Sequence, residues 1–261
     1  YTVVVPHSVM SLTLTPTAAD AAYSGLTVDG VSVTSGSASG TLSLTVGDNV
    51  INVTCTAQDL VTTVTYQVTV RRQSDVATLS DLVPSVGVLN DTFAPGSTAY
   101  TLELNFTNVP VTFTPTATQA NAAITLLGEG PVVSGTASPA VSPAVGVTVY
   151  DVEVESEDGS STETYRVRVV RRNNVATLSS LTLDVGLLVP VFDSSTTSYA
   201  VSLTNAEVNV AATATTSDPA GVPNVVSFSG SSVASGVADA AVGPLSVGTT
   251  VYTVVVVSED G

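Results

Sequence analysis

Residues Tyr66–Leu82 read YQVTVRRQSDVATLSDL, and residues Tyr165–Leu181 read YRVRVVRRNNVATLSSL. In both stretches, a run that alternates apolar and polar residues leads into an arginine pair and then into the motif VATLS. Alternation with a period of two predicts a half-buried β-strand. The near copy, about a hundred residues away, predicts that the chain is built from repeated units.

Three tyrosines mark the same repeat, because Tyr1, Tyr100 and Tyr199 open the strand-like runs YTVVV, YTLEL and YAVSL at intervals of 99 residues. This period is too long for a solenoid repeat and matches a whole β-sandwich domain. We therefore predict three domains, called unit 1 (residues 1–72), unit 2 (residues 73–172) and unit 3 (residues 173–261).

Within each unit the local pattern is that of strands. Ile51, Val53 and Cys55 alternate with Asn52 and Thr54, and β-branched side chains of this kind pack well on a pleated surface. No stretch shows a convincing helical period. We expect an all-β chain with about seven strands per unit, arranged in two facing sheets.

Two units are incomplete by this count. Tyr1 stands where VATLS-type residues would come first, so unit 1 lacks its first strand. Unit 3 reaches SEDG (Ser258–Gly261) without a tyrosine-containing last strand. A longer tandem array or strand exchange between neighbouring molecules would complete both units, and we favour the array.

Several motifs keep their order and spacing along the chain: VATLSSLTLDVGLLVPVFDSSTTSYAVSL (Val175–Leu203), TPTAADA (Thr15–Ala21) and VGDNVINVTCTAQD (Val46–Asp59). In this the sequence resembles the cadherin-like β-sandwich repeat, an immunoglobulin-like module. Unit 3 departs from the pattern with AATA (Ala211–Ala214) and the insert SDPAGVPN (Ser217–Asn224). The resemblance implies tandem immunoglobulin-like β-sandwich domains arranged end to end, with the first and last incomplete. It also implies an extracellular or cell-surface location.

Each arginine pair closes the last strand of one unit, just before the next unit begins. We therefore predict that Arg71, Arg72, Arg171 and Arg172 lie at interdomain joints. The planar guanidinium can satisfy carbonyls and carboxylates at such a joint. In the alternative interpretation, the pairs only solubilise a strand end and contribute under ~1 kcal/mol each. The candidate acceptors are Asp59, Asp75, Asp81, Glu157 and Asp158.

The charge balance excludes several partners. The net charge is −16, and all six basic residues are arginine. Nucleic-acid binding needs clustered positive charge, so it is not expected, and neither is binding to an anionic membrane. No apolar run is long enough for a transmembrane helix, so no membrane insertion is expected.

Residues that could carry chemistry are few. His7 is the sole histidine and lies in the turn PHSV, and Cys55 falls on the inward phase of its strand. Glu157-Asp158 and Glu259-Asp260 occupy matching turns of different units, which is typical of solvated hairpin tips. The joints carry arginines and few acids, whereas a calcium site needs six to eight oxygen ligands. We predict no catalytic residue, no cofactor and no metal, and hence no enzyme.

Three N-x-Ser/Thr sequons, at Asn52, Asn90 and Asn105, are candidate glycosylation sites. With 39 threonines and 32 serines in the chain, such matches also arise by chance. Asn52 points outward by strand phase, so its strand would not hinder a glycan.

The expected function is structural. Soluble sandwiches commonly protect their edge strands with lysine, and this chain has none. A surface rich in threonine and serine suits burial against glycans, neighbouring copies or other chains in an extracellular assembly. We expect an array in a filament, surface appendage or cell-wall protein. Among algal examples of the family, ciliary filaments (mastigonemes) would suit such a chain, and the sequence does not select them over a cell-wall or bacterial stalk protein. The alternative is an adhesin or carbohydrate-binding module, for which Phe93, Phe192 and Tyr23 are the candidate exposed aromatic residues.

Overall fold

The computed structural model describes residues 1–207, 209–217, 225–239 and 241–261, and within these ranges the chain is all-β with no helix. Each sheet there lies inside one unit, and each unit has its own hydrophobic core. The predicted all-β fold class of β-sandwich domains is confirmed. The unit bounds remain predictions from the repeat, and residues 218–224 of the insert lie outside the described residues.

Unit 2 shows the complete pattern of seven strands. They are β8 (Leu79–Pro84), β9 (Ala99–Leu104), β10 (Phe113–Ala117), β11 (Ala123–Leu126), β12 (Gly130–Val132), β13 (Gly146–Glu155) and β14 (Thr162–Arg171).

The longest ladder of unit 2 is the antiparallel hairpin of β13 and β14, with ten residues in each strand. Strand β9 joins β14 in parallel, and β11 and β12 extend the sheet on the β13 side. Strands β8 and β10 form a separate antiparallel pair. Leu79, Leu82 and Phe113 of this pair share one fully buried core with Val152 and Val167 of the larger sheet. Apolar side chains alternate inward along each strand, which explains the two-layer packing.

In unit 1 the strands are β1 (Thr2–Val5), β2 (Ser11–Leu12), β3 (Gly25–Val28), β4 (Val31–Ser32), β5 (Leu42–Ser43), β6 (Gly47–Thr56) and β7 (Thr63–Arg72). The sheet β1-β7-β6-β3-β4 repeats the five-stranded sheet of unit 2, with β1 parallel to β7. Unit 1 has no counterpart of β8 among the described residues. Residues 14–18, the counterpart of β10, accordingly form no strand, because a ladder needs a partner.

In unit 3 the described strands are β15 (Leu178–Leu183), β16 (Ala212–Thr216), β17 (Val225–Phe228), β18 (Ser231–Val233) and β19 (Val254–Val257). The sequence pattern predicts a strand at YAVSL (Tyr199–Leu203), and this is wrong: only a single bridge, from Ala200 to Val189, forms there. The counterparts of this run are β1 in unit 1, which pairs with the last strand β7, and β9 in unit 2, which pairs with the last strand β14. Unit 3 has no such last strand among its described residues, so this run lacks a ladder partner.

Candidate functional site at the joints between units

A hairpin turn of unit 2 lies against the linker from unit 1. The turn is Ser156–Gly159, between β13 and β14, and the linker residue Ser74 is buried at 2% exposure. The backbone N–H of Asp158 donates to the carbonyl oxygen of Ser74 at 3.2 Å, and the N–H of Ser74 donates to Glu157 Oε2 at 3.3 Å. Gln73 Nε2 donates to the backbone oxygen of Glu157 at 2.9 Å. The linker is therefore held along its length by the turn.

Arg71 connects the two units directly. It lies near the end of β7, and its Nε donates to Glu157 Oε1 at 2.8 Å, while its Nη1 lies 3.1 Å from Asp48 of unit 1. Asn121 Nδ2 donates to the same Glu157 oxygen at 3.1 Å. The Glu157 side chain is only 12% exposed, so solvent screens this ion pair less than a surface pair. Hydrogen bonds to Glu157, and then to Asp48, raise the pKa of Arg71 above its usual value.

His7 is also part of the first joint. It lies in the turn after β1, and its backbone N–H donates to Asp158 Oδ2 at 3.2 Å. Its ring Nδ1 lies 3.1 Å from a carboxylate oxygen of Asp75 in the linker. The pKa of Asp158 is lowered to about 2, first by the Ser160 hydroxyl and backbone N–H, with smaller contributions from Ser156 and the His7 N–H. Sequence reasoning placed His7 in a surface turn and missed these contacts, because they join residues 151 positions apart.

Arg72 and Arg171 act inside their own units. Arg72 donates to the backbone oxygens of His7 and Leu44, and Arg171 donates to those of Phe106 and Pro143. Arg171 also lies over the Phe106 ring, 4.7 Å from its centre. Each guanidinium thus ties the last strand to two loops at the same end of its sandwich.

The two arginine pairs are offset by one residue. Arg72 pairs with Gly47 and Arg171 with Gly146, so Arg71 corresponds to Val170. Arg172 donates to Glu103 of its own unit at 2.6 Å. Of the four arginines, Arg71 is the one whose described contacts reach the next unit.

Most of the predicted acceptors contact other groups. Asp75 faces His7; Asp81 accepts from the N–H of Leu82; Asp59 accepts from Val61 and Thr62 in its own turn. Among the described residues, only Glu157 of the five candidates contacts a joint arginine. The prediction that the other four carboxylates accept from a joint arginine is wrong, because they accept from groups in their own turns or lie against His7.

Among the residues that the structure describes, the second joint repeats the linker contacts without an arginine contact to unit 3. Glu259 Oε2 accepts from the backbone N–H of Asn173 at 3.2 Å and from its side-chain Nδ2 at 3.1 Å. The N–H of Asp260 donates to the carbonyl oxygen of Asn173 at 3.2 Å. Asn173, at 3% exposure, is the counterpart of Ser74. Val170 and Phe106 stand where the first joint has Arg71 and His7.

The sequons lie on the surface. Asn52 is exposed on β6, and Asn90 and Asn105 are exposed in loops. The Asn90 side chain makes two hydrogen bonds within unit 2: it accepts from the N–H of Thr101 at 2.7 Å and donates to Asp91 Oδ2 at 2.7 Å. All three remain predicted glycosylation sites.

The aromatic residues considered for sugar binding pack inside their units. Phe93 stacks on Tyr100 with ring centres 5.4 Å apart, and Phe192 stacks on Tyr199 at 5.9 Å. The Tyr23 hydroxyl accepts from the N–H of Ser35 at 3.1 Å. Their interpretation as free aromatic residues is therefore wrong, because each closes a loop onto its own sandwich.

No group of three or more histidine, cysteine, aspartate or glutamate side chains that could hold a metal ion occurs in the described part of the chain. Cys55 is a free thiol, partly buried against the core of unit 1. Within the described ranges, no helix is long and apolar enough to cross a membrane.

Comparison with known families agrees with this geometry. The model of the cadherin-like beta sandwich domain matches residues 1–73, which span unit 1 and the next residue, and residues 78–172, which lie within unit 2. The chain belongs to this family. Cadherin-like domains are typically extracellular, and they serve interaction or adhesion.

Other comparisons add little. No curated protein matches the chain in sequence. Among solved structures, the chain is similar to protocadherin gamma B7 extracellular cadherin domains 1–4, with 14% identity and a TM-score of 0.32. The match covers 98% of this chain and 66% of that one.

Proposed function

We propose that this cadherin-like chain is a structural and interaction array of an extracellular filament, surface appendage or cell-wall protein, which sets distances and provides assembly contacts without performing chemistry. The observation that carries the proposal is the first joint, where the Arg71–Glu157 ion pair and the bonds to Ser74 connect two sandwiches through a short linker. A joint of this kind resists bending, which an array that sets distances requires.

The dimensions suit a spacer. Strands β13 and β14 each have ten residues, so a unit is about 30 Å long at ~3.3 Å per residue. Three units in line would reach about 100 Å. This supports a role in extension, since an elongated row of small sandwiches encloses no substrate.

The surface suits contact with other chains. Val147 and Val149 on β13 are 54% and 49% exposed, and Val50 on β6 is 50% exposed. Contiguous apolar patches on a protein surface mark sites that bind partners, and Val147 and Val149 lie on the same face of β13. The edge strands β1 and β4 carry the exposed residues Val3, Val4 and Val31, and the chain has no lysine to prevent edge pairing. Neighbouring copies, other chains or glycans would cover these valines.

Electron microscopy of the native material tests the proposal. We expect regular polymers in which an antibody against unit 2 labels at a constant spacing. A chain recovered only as separate monomers that bind sugars on a glycan array would contradict the assembly role and favour an adhesin. Mass spectrometry of intact glycopeptides covering Asn52, Asn90 and Asn105 would show whether glycans cover the surface.

A further inference from the structure

The course of the chain through unit 2 determines how tension along the array enters and leaves this sandwich. The first strand, β8, begins at the unit 1 end, where the N–H of Leu79 donates to the Tyr165 hydroxyl near the start of β14. The last strand, β14, finishes at Arg171, next to the linker to unit 3. Tension between units 1 and 3 therefore pulls the first and last strands of unit 2 from opposite ends of the sandwich.

Strand β8 meets this tension first. It pairs with β10 along five residues and is pulled along its own length, so its bonds to β10 share the load. Once β8 detaches, the tension passes through the following loop to the start of β9. The ladder between β9 and β14 then holds the sandwich together.

This second ladder is parallel and pairs all six residues of β9 with β14. At the unit 1 end, the N–H of Arg166 donates to the carbonyl oxygen of Thr98 at 2.7 Å. At the unit 3 end, the N–H of Arg172 donates to that of Leu104 at 2.8 Å. Neighbouring parallel strands that are pulled at opposite ends must slide past each other, so every bond of the ladder resists at once.

An arginine side chain fastens the unit 3 end of this ladder. The Arg171 guanidinium, at the end of β14, donates to the backbone oxygen of Phe106, two residues after β9, at 2.8 and 3.1 Å. Unit 1 repeats the arrangement, because β1 is parallel to β7 and Arg72 donates to the backbone oxygen of His7, two residues after β1. Charged donors make the stronger hydrogen bonds, so each arginine reinforces the place where its last strand is loaded.

We propose that the sandwiches of units 1 and 2 bear tension. The load-bearing element is the parallel ladder of the last strand, and the arginine that bonds beyond the partner strand is its fastener. The inference rests on the proposed function for its use, because an array that sets distances in a filament or appendage is stretched between its two ends. Survival under force is governed by the unfolding rate, so a ladder that breaks only as a whole prolongs it.

Constant-force spectroscopy of the whole chain tests the proposal by changing only the direction of pull on unit 2. In a Cys55→Val background, DNA handles on Ser97→Cys and Asn174→Cys pull β9 and β14 at opposite ends, which is the sliding geometry. Handles on Ser97→Cys and Thr162→Cys pull both strands at the unit 1 end, which is the peeling geometry. We expect unit 2 to survive about tenfold longer or more in the sliding geometry at equal force, because the whole ladder shares the load.

Variants of two arginines test the fastener. Arg171→Ala should shorten the lifetime about fivefold in the sliding geometry, since its bonds carry load there. In the peeling geometry the change should be less than about twofold, because those bonds bear no load until the rest of the ladder has opened. Arg166→Ala is the matched control: its side chain pairs with Asp151 of β13, on the side of β14 away from β9, and both lifetimes should stay within about twofold.

Equal lifetimes in the two geometries would overturn the load-bearing role and leave the assembly role standing, since contacts between chains do not depend on this ladder. If Arg171→Ala leaves the sliding lifetime unchanged, or shortens both lifetimes equally, the fastening role of the arginine is overturned. Regular polymers absent from the native material, with both lifetimes as expected, would count against the assembly role alone.

Discussion

The Nε atom of Arg71, near the end of β7 in unit 1, lies 2.8 Å from Oε1 of Glu157, in a hairpin turn of unit 2. The same carboxylate accepts from the backbone of the linker at Ser74. One glutamate thus connects the unit before the linker, the linker itself and the unit after it. This contact distinguishes the first joint from the second, where Val170 replaces the arginine.

Arg71→Ala should loosen the first joint. Spin labels at Ser32 and Ser142, in a Cys55→Val background, would report the distances between units 1 and 2 by pulsed electron paramagnetic resonance. We expect a broader distance distribution in the variant, because the direct ion pair between the units is lost. Arg166→Ala is the matched control, since it removes the Arg166–Asp151 pair inside unit 2. Equal widths in all three proteins would show that Arg71 does not stiffen the joint.

The reverse experiment adds the contact to the second joint. Val170→Arg places a guanidinium at the position that corresponds to Arg71, and Glu259 is the counterpart of Glu157. We expect a narrower distribution of distances between units 2 and 3, and high salt should reverse the effect. No narrowing at low salt would mean that the second joint has a different geometry from the first.

Arg72 and Arg171 should matter for stability within their units. Replacing either with lysine should lower the free energy of unfolding by about 1–2 kcal/mol, because an ammonium group cannot reach two separate carbonyls as the planar guanidinium does. Urea unfolding followed by circular dichroism measures the loss. Arg168→Lys, at an exposed position, is the control and should be neutral within about 0.5 kcal/mol. Lysine variants as stable as the wild type would refute a stabilising role for these guanidinium bonds.

Tyr165→Phe and Tyr66→Phe compare the same position in two units. The Tyr165 hydroxyl accepts from the N–H of Leu79 and donates to the carbonyl oxygen of Pro95, both at 3.0 Å. Its loss leaves two polar backbone groups without this partner and should cost about 1–3 kcal/mol. Tyr66 is half exposed, so Tyr66→Phe should change stability by less than about 0.5 kcal/mol. Equal losses of unfolding free energy in the two variants would show that the bonds of the Tyr165 hydroxyl to Leu79 and Pro95 do not stabilise unit 2.

The first joint should open in acid. The pKa of Asp158 is about 2, below the ordinary value of 3.8, first because of the Ser160 hydroxyl and then its backbone N–H. A carboxyl group with a lowered folded-state pKa stabilises the fold fully above its ordinary pKa and loses this effect as the pH falls through the lowered value. The contact from the His7 N–H to Asp158 should therefore persist at about pH 4 and weaken as the pH falls through about 2, where the folded-state carboxyl is protonated.

The same spin-label distances, measured against pH, test this prediction. Asp158→Asn removes the titrating carboxyl, so this part of the pH dependence should vanish in the variant. Identical pH curves for wild type and Asp158→Asn in this range would assign any opening to other carboxylates.

Much of the fold follows from local patterns in the sequence. The alternation of Ile51, Val53 and Cys55 indicates a strand because side chains of a strand point alternately to two faces, and β6 covers these residues. The 99-residue spacing of Tyr1, Tyr100 and Tyr199 indicates repeated sandwiches. The same alternation predicts a strand at Tyr199–Leu203 that does not form, because a strand also needs a neighbouring strand with free backbone N–H and C=O groups.

The joint was less accessible to sequence reasoning. The sequence places an arginine pair at the end of β7 and another at the end of β14. The one-residue offset between the pairs decides that Arg71 contacts the next unit. Val170 is the signal, since the extra residue before Arg171 shifts the second pair by one position. Register in a ladder determines where each side chain points, so a shift by one residue moves an arginine to the other face.

The sequence alone determined the all-β class and the repeat, because these depend on periodicity and on residues close together in the chain. Only the tertiary structure decided that Glu157 faces Arg71 and that His7 lies against Asp158. These relationships join residues far apart in sequence. No local pattern encodes them, since they arise from the way in which whole sheets pack.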